Sequence, residues 1–345
     1  MMLPSRVAVE RKTVSIMPDA SGLVTIDDVR AAAGRLDGVA VRTPLVPAAW
    51  AGGELWLKPE GLQTTGAFKL RGAFNAVALL DDDERARGVV THSSGNHAQA
   101  LAWAAAAQGI PATVVMPDAA APLKVAATRA LGADVIMVPS AERDSRVEQL
   151  RTERGLTFIS PFDHPGVIAG GGTVGLEIAA DLPDVDTVLV PVGGGGLISG
   201  IAVAMAAAAP SARVVAVEPE LAADLAESLA RGERVRWDPE RTYRTIADGV
   251  RLPVVGELTW RHIQAHVDEV VTVPEDAILA AMAAIATRGR IVAEPTGALT
   301  TAAFLTDPGR FGRSVAVVSG GNADPTLLAK VLMDAAGWTP RPASR

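Results

Sequence analysis

The sequence predicts an α/β protein built on two open, twisted, parallel sheets. Three observations carry that expectation. The chain has 345 residues, 49% of them hydrophobic, enough at roughly 150 residues per domain for about two domains with full cores. Short β-branched runs alternate with alanine-rich stretches, the pattern of βαβ units. Glycine clusters stand where several of those runs end, which is where open α/β sheets bind ligands.

In the first series, strands over 88–91, 112–116 and 134–138 precede helices over 98–108, 123–131 and 142–154. A second series places strands at 186–192, 213–218 and 313–318, with helices over 201–209 and 325–336. Between the two lies 160–172, dense in proline and glycine and without clear period, where the chain is expected to cross from one unit to the other. Residues 1–20 are expected to be a disordered or extended tail, with Met17 an alternative start.

Composition removes several classes of chemistry. The chain has no cysteine, so disulfides, thiolate zinc sites, iron–sulfur clusters and a cysteine nucleophile are excluded. A formal charge of -7 argues against a broad hold on nucleic acid or an anionic membrane surface. Charges and prolines interrupt the first twenty residues, where a signal peptide needs an apolar run, and no apolar stretch reaches the roughly 18 to 20 residues of a membrane span. A soluble, cytoplasmic protein is the expectation.

Four segments concentrate groups suited to chemistry. In PVGGGGLISG a strand runs into Gly193, Gly194, Gly195 and Gly196 and then a helix, so successive backbone N–H groups can close on a phosphate at the positive helix end. A rival reading exists: Gly194, Gly196 and Ser199, with Glu218 22 residues after Gly196, mimic a dinucleotide fingerprint. Lysine is scarce, only five residues against 27 arginines, and Lys69 sits among small and apolar neighbours in TGAFKLRGA, where desolvation lowers an amine pKa. An amine with a phosphate cradle suggests pyridoxal phosphate held as a Schiff base. THSSGNHAQ places two hydroxyls and an amide at a strand end before a helix, a pattern that suits a carboxylate and equally a simple helix cap. VVSGGNAD puts the Ser319 hydroxyl at the end of the last strand. His262 and His266, four apart on a helix without a third ligand, are expected on the surface.

Taken in this order, TGAFKLRGA, THSSGNHAQ, PVGGGGLISG and VVSGGNAD resemble the fold-type II pyridoxal-phosphate enzymes, in the branch of threonine and serine dehydratases and serine racemase. The resemblance spans roughly residues 22 to 338. It implies a tryptophan synthase beta-like fold, with a large cofactor-binding domain at 21–84 and 164–345, a small domain at 85–163, and the cofactor in the cleft between them. Lys69 would carry the cofactor and Phe68 would pack beside its ring. Asn96 would bond the ring's 3′-oxygen, the N–H groups of Gly193, Gly194, Gly195, Gly196 and Leu197 would cradle the phosphate, and Ser319 would meet the pyridine nitrogen. A neutral hydroxyl there makes the ring a weaker electron sink and favours elimination. Ser93, Ser94, Asn96 and His97 would surround the substrate carboxylate.

The implied reaction converts L-threonine or L-serine, as small β-hydroxy amino acids, to a 2-oxo acid and ammonia. Ser94 is similar to the acid–base serine of the racemases, which opens racemisation of serine, or dehydration or racemisation of 3-hydroxyaspartate, as alternatives; the segments at 160–165 and 256–259 look more like the dehydratases. Glu218, the Ala222 carbonyl and Asp224 resemble a divalent-cation site of the racemase-like branch, three oxygen donors suited to Mg²⁺, Ca²⁺ or Mn²⁺. Ala67 and Gly171 depart from the family's usual serine and glutamine. The chain ends near Gly337 without the regulatory domain of biosynthetic threonine dehydratases, so feedback by isoleucine is not expected. The family also implies a homodimer.

Overall fold

The computed structural model describes residues 6–8 and 22–335. The expected tail and the alternative start at Met17 lie outside them, except that Arg6–Ala8 pairs as a strand, β1. Ten strands follow: β2 Val46–Pro47, β3 Leu55–Pro59, β4 Val89–His92, β5 Ala112–Pro117, β6 Asp134–Val138, β7 Thr157–Phe158, β8 Thr187–Pro191, β9 Arg213–Pro219, β10 Glu269–Val273 and β11 Ser314–Val318.

They form two sheets. One runs β6-β5-β4-β7, parallel throughout; the other runs β1-β10-β9-β8-β11-β3-β2, parallel within β10 to β3 and closed at each edge by a short antiparallel strand. Strands β8 and β11, TVLVP and SVAVV, are buried along their whole length, as a parallel sheet covered on both faces requires. Alternate residues serve opposite cores: Val188 and Val190 join Val315 and Val317 on one face, while Leu189 joins Ala316 and Val318 on the other.

The segment 160–172 departs from expectation. It crosses between the sheets only as far as His164 and then becomes the helix Pro165–Asp181, opened by Pro165 and capped by the His164 ring, whose Nδ1 accepts the Gly166 N–H at 3.1 Å. The glycines that hide its helical period are there for close packing. A Cβ on Gly170 would lie 2.5 Å from the Arg71 carbonyl oxygen, and one on Gly200 would lie 2.1 Å from the Ile168 carbonyl oxygen. Three helices, Lys69–Ala78, Pro165–Asp181 and Gly196–Ala208, therefore approach backbone to backbone. The last begins five residues earlier than predicted, because Gly196 to Gly200 are its first turns rather than loop.

A buried charge cluster locks the first two of these helices to β3. Lys58 Nζ lies 2.6 Å from Glu177 Oε2, Arg71 Nε 2.7 Å from Glu60 Oε2, and Arg71 Nη1 2.6 Å from Glu177 Oε1. Lys58, Glu60 and Arg71 are fully buried, where an ion survives only when paired and hydrogen-bonded. Arg71 stands two residues after Lys69, so the cluster fixes the helix that presents it. His262 also departs from expectation: it is buried, and its Nε2 accepts the Val24 N–H at 3.2 Å, joining the N-terminal helix Ile26–Leu36 to the core. Among the described residues no helix is long and apolar enough to cross a membrane.

Candidate active site

A cavity of about 450 Å³ lies between the two sheets, lined by Lys69, Ser94, Asn96, the glycine loop, Glu294 and Ser319 among others. Lys69 opens its helix at the cavity edge, half-buried, with its ammonium donating to the Pro161 carbonyl at 2.6 Å. Burial pulls its amine down from 10.5 to about 8. The turn before it is stitched to the end of β11: Phe68 N–H donates to the Ser319 carbonyl at 3.0 Å and Gly321 N–H to the Gly66 carbonyl at 2.9 Å. Sequence-distant Lys69 and Ser319 are thereby placed side by side in one cavity, and Lys69 Nζ stands 4.9 Å from the centre of the Phe68 ring.

The glycine loop turns into the helix Gly196–Ala208 through Gly195, whose φ of 91° is the left-handed conformation that favours glycine. The Gly194 carbonyl is held away by the Thr259 hydroxyl at 2.7 Å and the Gly256 N–H at 3.2 Å. The first N–H groups of the helix have no helical partner, and with the positive end of its dipole they face the cavity as an anion site. A Cβ on Gly194 would lie 2.1 Å from the Phe162 ring, so backbone alone can occupy this wall. Gly193, Gly196 and Leu197 also line it.

Ser93, Ser94, Asn96 and His97 stand at the junction of β4 and the helix Asn96–Ala107, all facing the same cavity. Ser93 Oγ accepts the Gly95 N–H at 3.3 Å. His97 is buried and its Nε2 lies 3.2 Å from the Ile159 carbonyl; burial pulls its ring down to about 3. A ring held neutral in this way offers an anion in the cavity no charge, only its polar atoms.

Three features were not singled out from sequence. Glu294 is buried, accepts the Asn96 amide at 2.7 Å, and is pushed up to about 7 by burial and the Asp248 charge. Asn322 donates to Asn96 Oδ1 at 2.9 Å. Lys124, on the helix Pro122–Ala130 beside the four-stranded sheet, pairs with Asp248 across the cavity mouth. Glu294 carried a signal: it is the only charge in 291–306.

Glu218 and Asp224 lie elsewhere, at the end of β9 and the start of the helix Asp224–Arg231, both buried. Glu218 accepts the N–H groups of Leu225 and Ala226 at 3.0 and 2.8 Å, so it is not available to the ribose that the dinucleotide reading requires. Burial pushes Glu218 well up and Asp224 up to about 7. Asp224 Oδ2 has no hydrogen-bond partner among the described residues. Two buried acids with one orphaned oxygen fit a hard cation, although no group of three or more His, Cys, Asp or Glu side chains among the described residues is placed to hold one.

Comparison with known proteins agrees with this geometry. The chain matches the pyridoxal-phosphate dependent enzyme family over residues 36–320. It belongs to that family. An L-threonine ammonia-lyase of Thermotoga maritima is 44% identical over 319 residues, 90% of this chain and 78% of the relative. An L-threo-3-hydroxyaspartate ammonia-lyase of Saccharomyces cerevisiae is 40% identical over 316 residues, 89% of this chain and 96% of the relative. The crystal structure of serine racemase from Dictyostelium discoideum superposes with a TM-score of 0.81 at 39% identity, covering 87% of this chain and 99% of that one. The family's cofactor fits the cavity on the structure's own evidence: a desolvated lysine amine and a side-chain-free anion cradle at a helix terminus open on one space.

Proposed function

We propose that this family member is an ammonia-lyase that converts L-threonine, L-serine or both to the 2-oxo acid and ammonia. The observation that carries the proposal is the Lys69 amine, lowered to about 8, in one cavity with the glycine helix terminus, Ser319 and the 93–97 segment. Bound pyridoxal phosphate supplies the electron sink that loosens the bonds at an amino acid's α-carbon. Lys69 Nζ would hold the cofactor through its aldehyde and, as a free amine, would take the α-proton of the substrate. The glycine N–H groups would hold the cofactor's phosphate, and Phe68, which lines the same cavity, would pack beside its ring. Ser319 would meet the ring nitrogen with a neutral hydroxyl, which would favour elimination. Ser93, Ser94 and the N–H groups opening Asn96–Ala107 receive the substrate carboxylate.

The names of the relatives support this substrate class, and Ser94 in the cavity supports racemisation as a second activity. The test is a product screen with L-threonine, L-serine, D-serine and the 3-hydroxyaspartates. The expected result is 2-oxo acid and ammonia from L-threonine or L-serine, falling about 10³-fold or more in Lys69→Ala. Turnover that survives Lys69→Ala contradicts the proposal. If Ser94 serves the opposite face, Ser94→Ala abolishes D-serine formation while 2-oxo acid continues.

A divalent cation at Glu218, the Ala222 carbonyl and Asp224 belongs to the same proposal, supported by the orphaned Asp224 oxygen. Removing divalent ions with a chelator is expected to lower the Tm, and magnesium to restore it. An unchanged Tm leaves both residues as buried acids without a bound cation.

A further inference from the structure

We infer that Glu294 and Asn322 are positioning residues that fix which atom of the Asn96 amide faces the cavity. The inference rests on the proposed use of pyridoxal phosphate. A side-chain amide carries a two-hydrogen donor and an acceptor of nearly equal shape, and its orientation is set by its partners. The Thr65 carbonyl can only accept, so the Asn322 atom 2.9 Å from it is the nitrogen, Nδ2. The same nitrogen stands 2.9 Å from the Asn96 amide, which must therefore offer its oxygen there. Asn96 Nδ2 then turns to Glu294 Oε1 at 2.7 Å, a carboxyl oxygen that accepts.

The donor chain runs Asn322 to Asn96 to Glu294, anchored at one end on a backbone carbonyl that has no second orientation and at the other on a buried acid. Both Asn322 amide hydrogens are used. Asn96 keeps one, which has no partner among the described residues, and the residue lines the cavity. The arrangement is closely built: a Cβ on Gly320 would lie 2.3 Å from Glu294 Oε1, and one on Gly66 2.2 Å from Asn322 Oδ1. With the amide reversed, Asn96 would present a carbonyl oxygen to an anionic oxygen of the cofactor ring. As built, it presents an N–H, a charge-assisted donor.

The experiment measures pyridoxal-phosphate affinity and the visible absorption of the bound cofactor in Asn322→Ala, Glu294→Ala and Glu294→Gln, each in the wild-type and the Asn96→Ala background. Loss of one oriented hydrogen bond predicts that Asn322→Ala and Glu294→Ala each weaken affinity about tenfold and shift the band toward that of Asn96→Ala. Glu294→Gln, whose amide carbonyl still accepts, keeps both near wild type. In the Asn96→Ala background neither alanine substitution changes anything further. Losses that add in that background, as for residues that merely support the fold, overturn the positioning role, as does an unchanged spectrum in the single variants. Wild-type protein that takes up no pyridoxal phosphate overturns the functional reading itself, a separate result.

Discussion

The chemistry proposed at Lys69 depends on a free amine, which burial favours. An exposed lysine titrates near 10.5; here half of the side chains are neutral at about 8. Because only the neutral amine attacks an aldehyde, the rate of pyridoxal-phosphate capture by cofactor-free protein should rise with pH and level off above about 8. Absorbance stopped-flow across the pH range checks this, and a rate still climbing at about pH 10 contradicts the lowered value. Lys69, the glycine loop and Ser319 were legible in the sequence because each sits in a compact local motif. Glu294 and Asn322 were not singled out, because their roles exist only through Asn96, 198 and 226 residues away. His97 was legible as a lining residue but not in its charge state, which follows from burial and the nearby Lys69 charge, only partly offset by the Ile159 carbonyl.

Among the elements, the helix Pro165–Asp181 is the instructive case. Its glycines read as a loop, since glycine disfavours helices, yet they are what lets it lie against Lys69–Ala78 and Gly196–Ala208. Gly200→Ala would drive a methyl against the Ile168 carbonyl and should destabilise the protein by about 2 kcal/mol or more. Gly34, in the helix Ile26–Leu36 with open space around it, gives the opposite sign: Gly34→Ala should stabilise by about 0.5–1 kcal/mol. Urea denaturation of the two variants side by side tests this, and equal effects would contradict the close-approach account. The strands β4, β5, β8, β9 and β11 were legible because buried parallel strands are continuous β-branched runs, and the half-buried edge strand β6 because its DVIMV run is apolar. The edge strands β1 and β2, of three and two residues, are too short to show any period.

For the whole molecule, the residues of the proposed chemistry reach one cavity from the ends of strands in both sheets. Ser93, Ser94 and Asn96 follow the end of β4, the glycine loop follows β8 and Ser319 follows β11, and the Lys124–Asp248 pair bridges the two sides. In this cysteine-free, lysine-poor chain the proposed chemistry rests on one amine, while Lys58 lies in the buried charge cluster and Lys124 in the bridge. The most direct measurement is therefore borohydride reduction of the pyridoxal-phosphate-loaded protein, followed by peptide mass spectrometry. The account predicts a pyridoxyl group on the peptide containing Lys69. A label on any of the other four lysines instead, or no label at all, would contradict it.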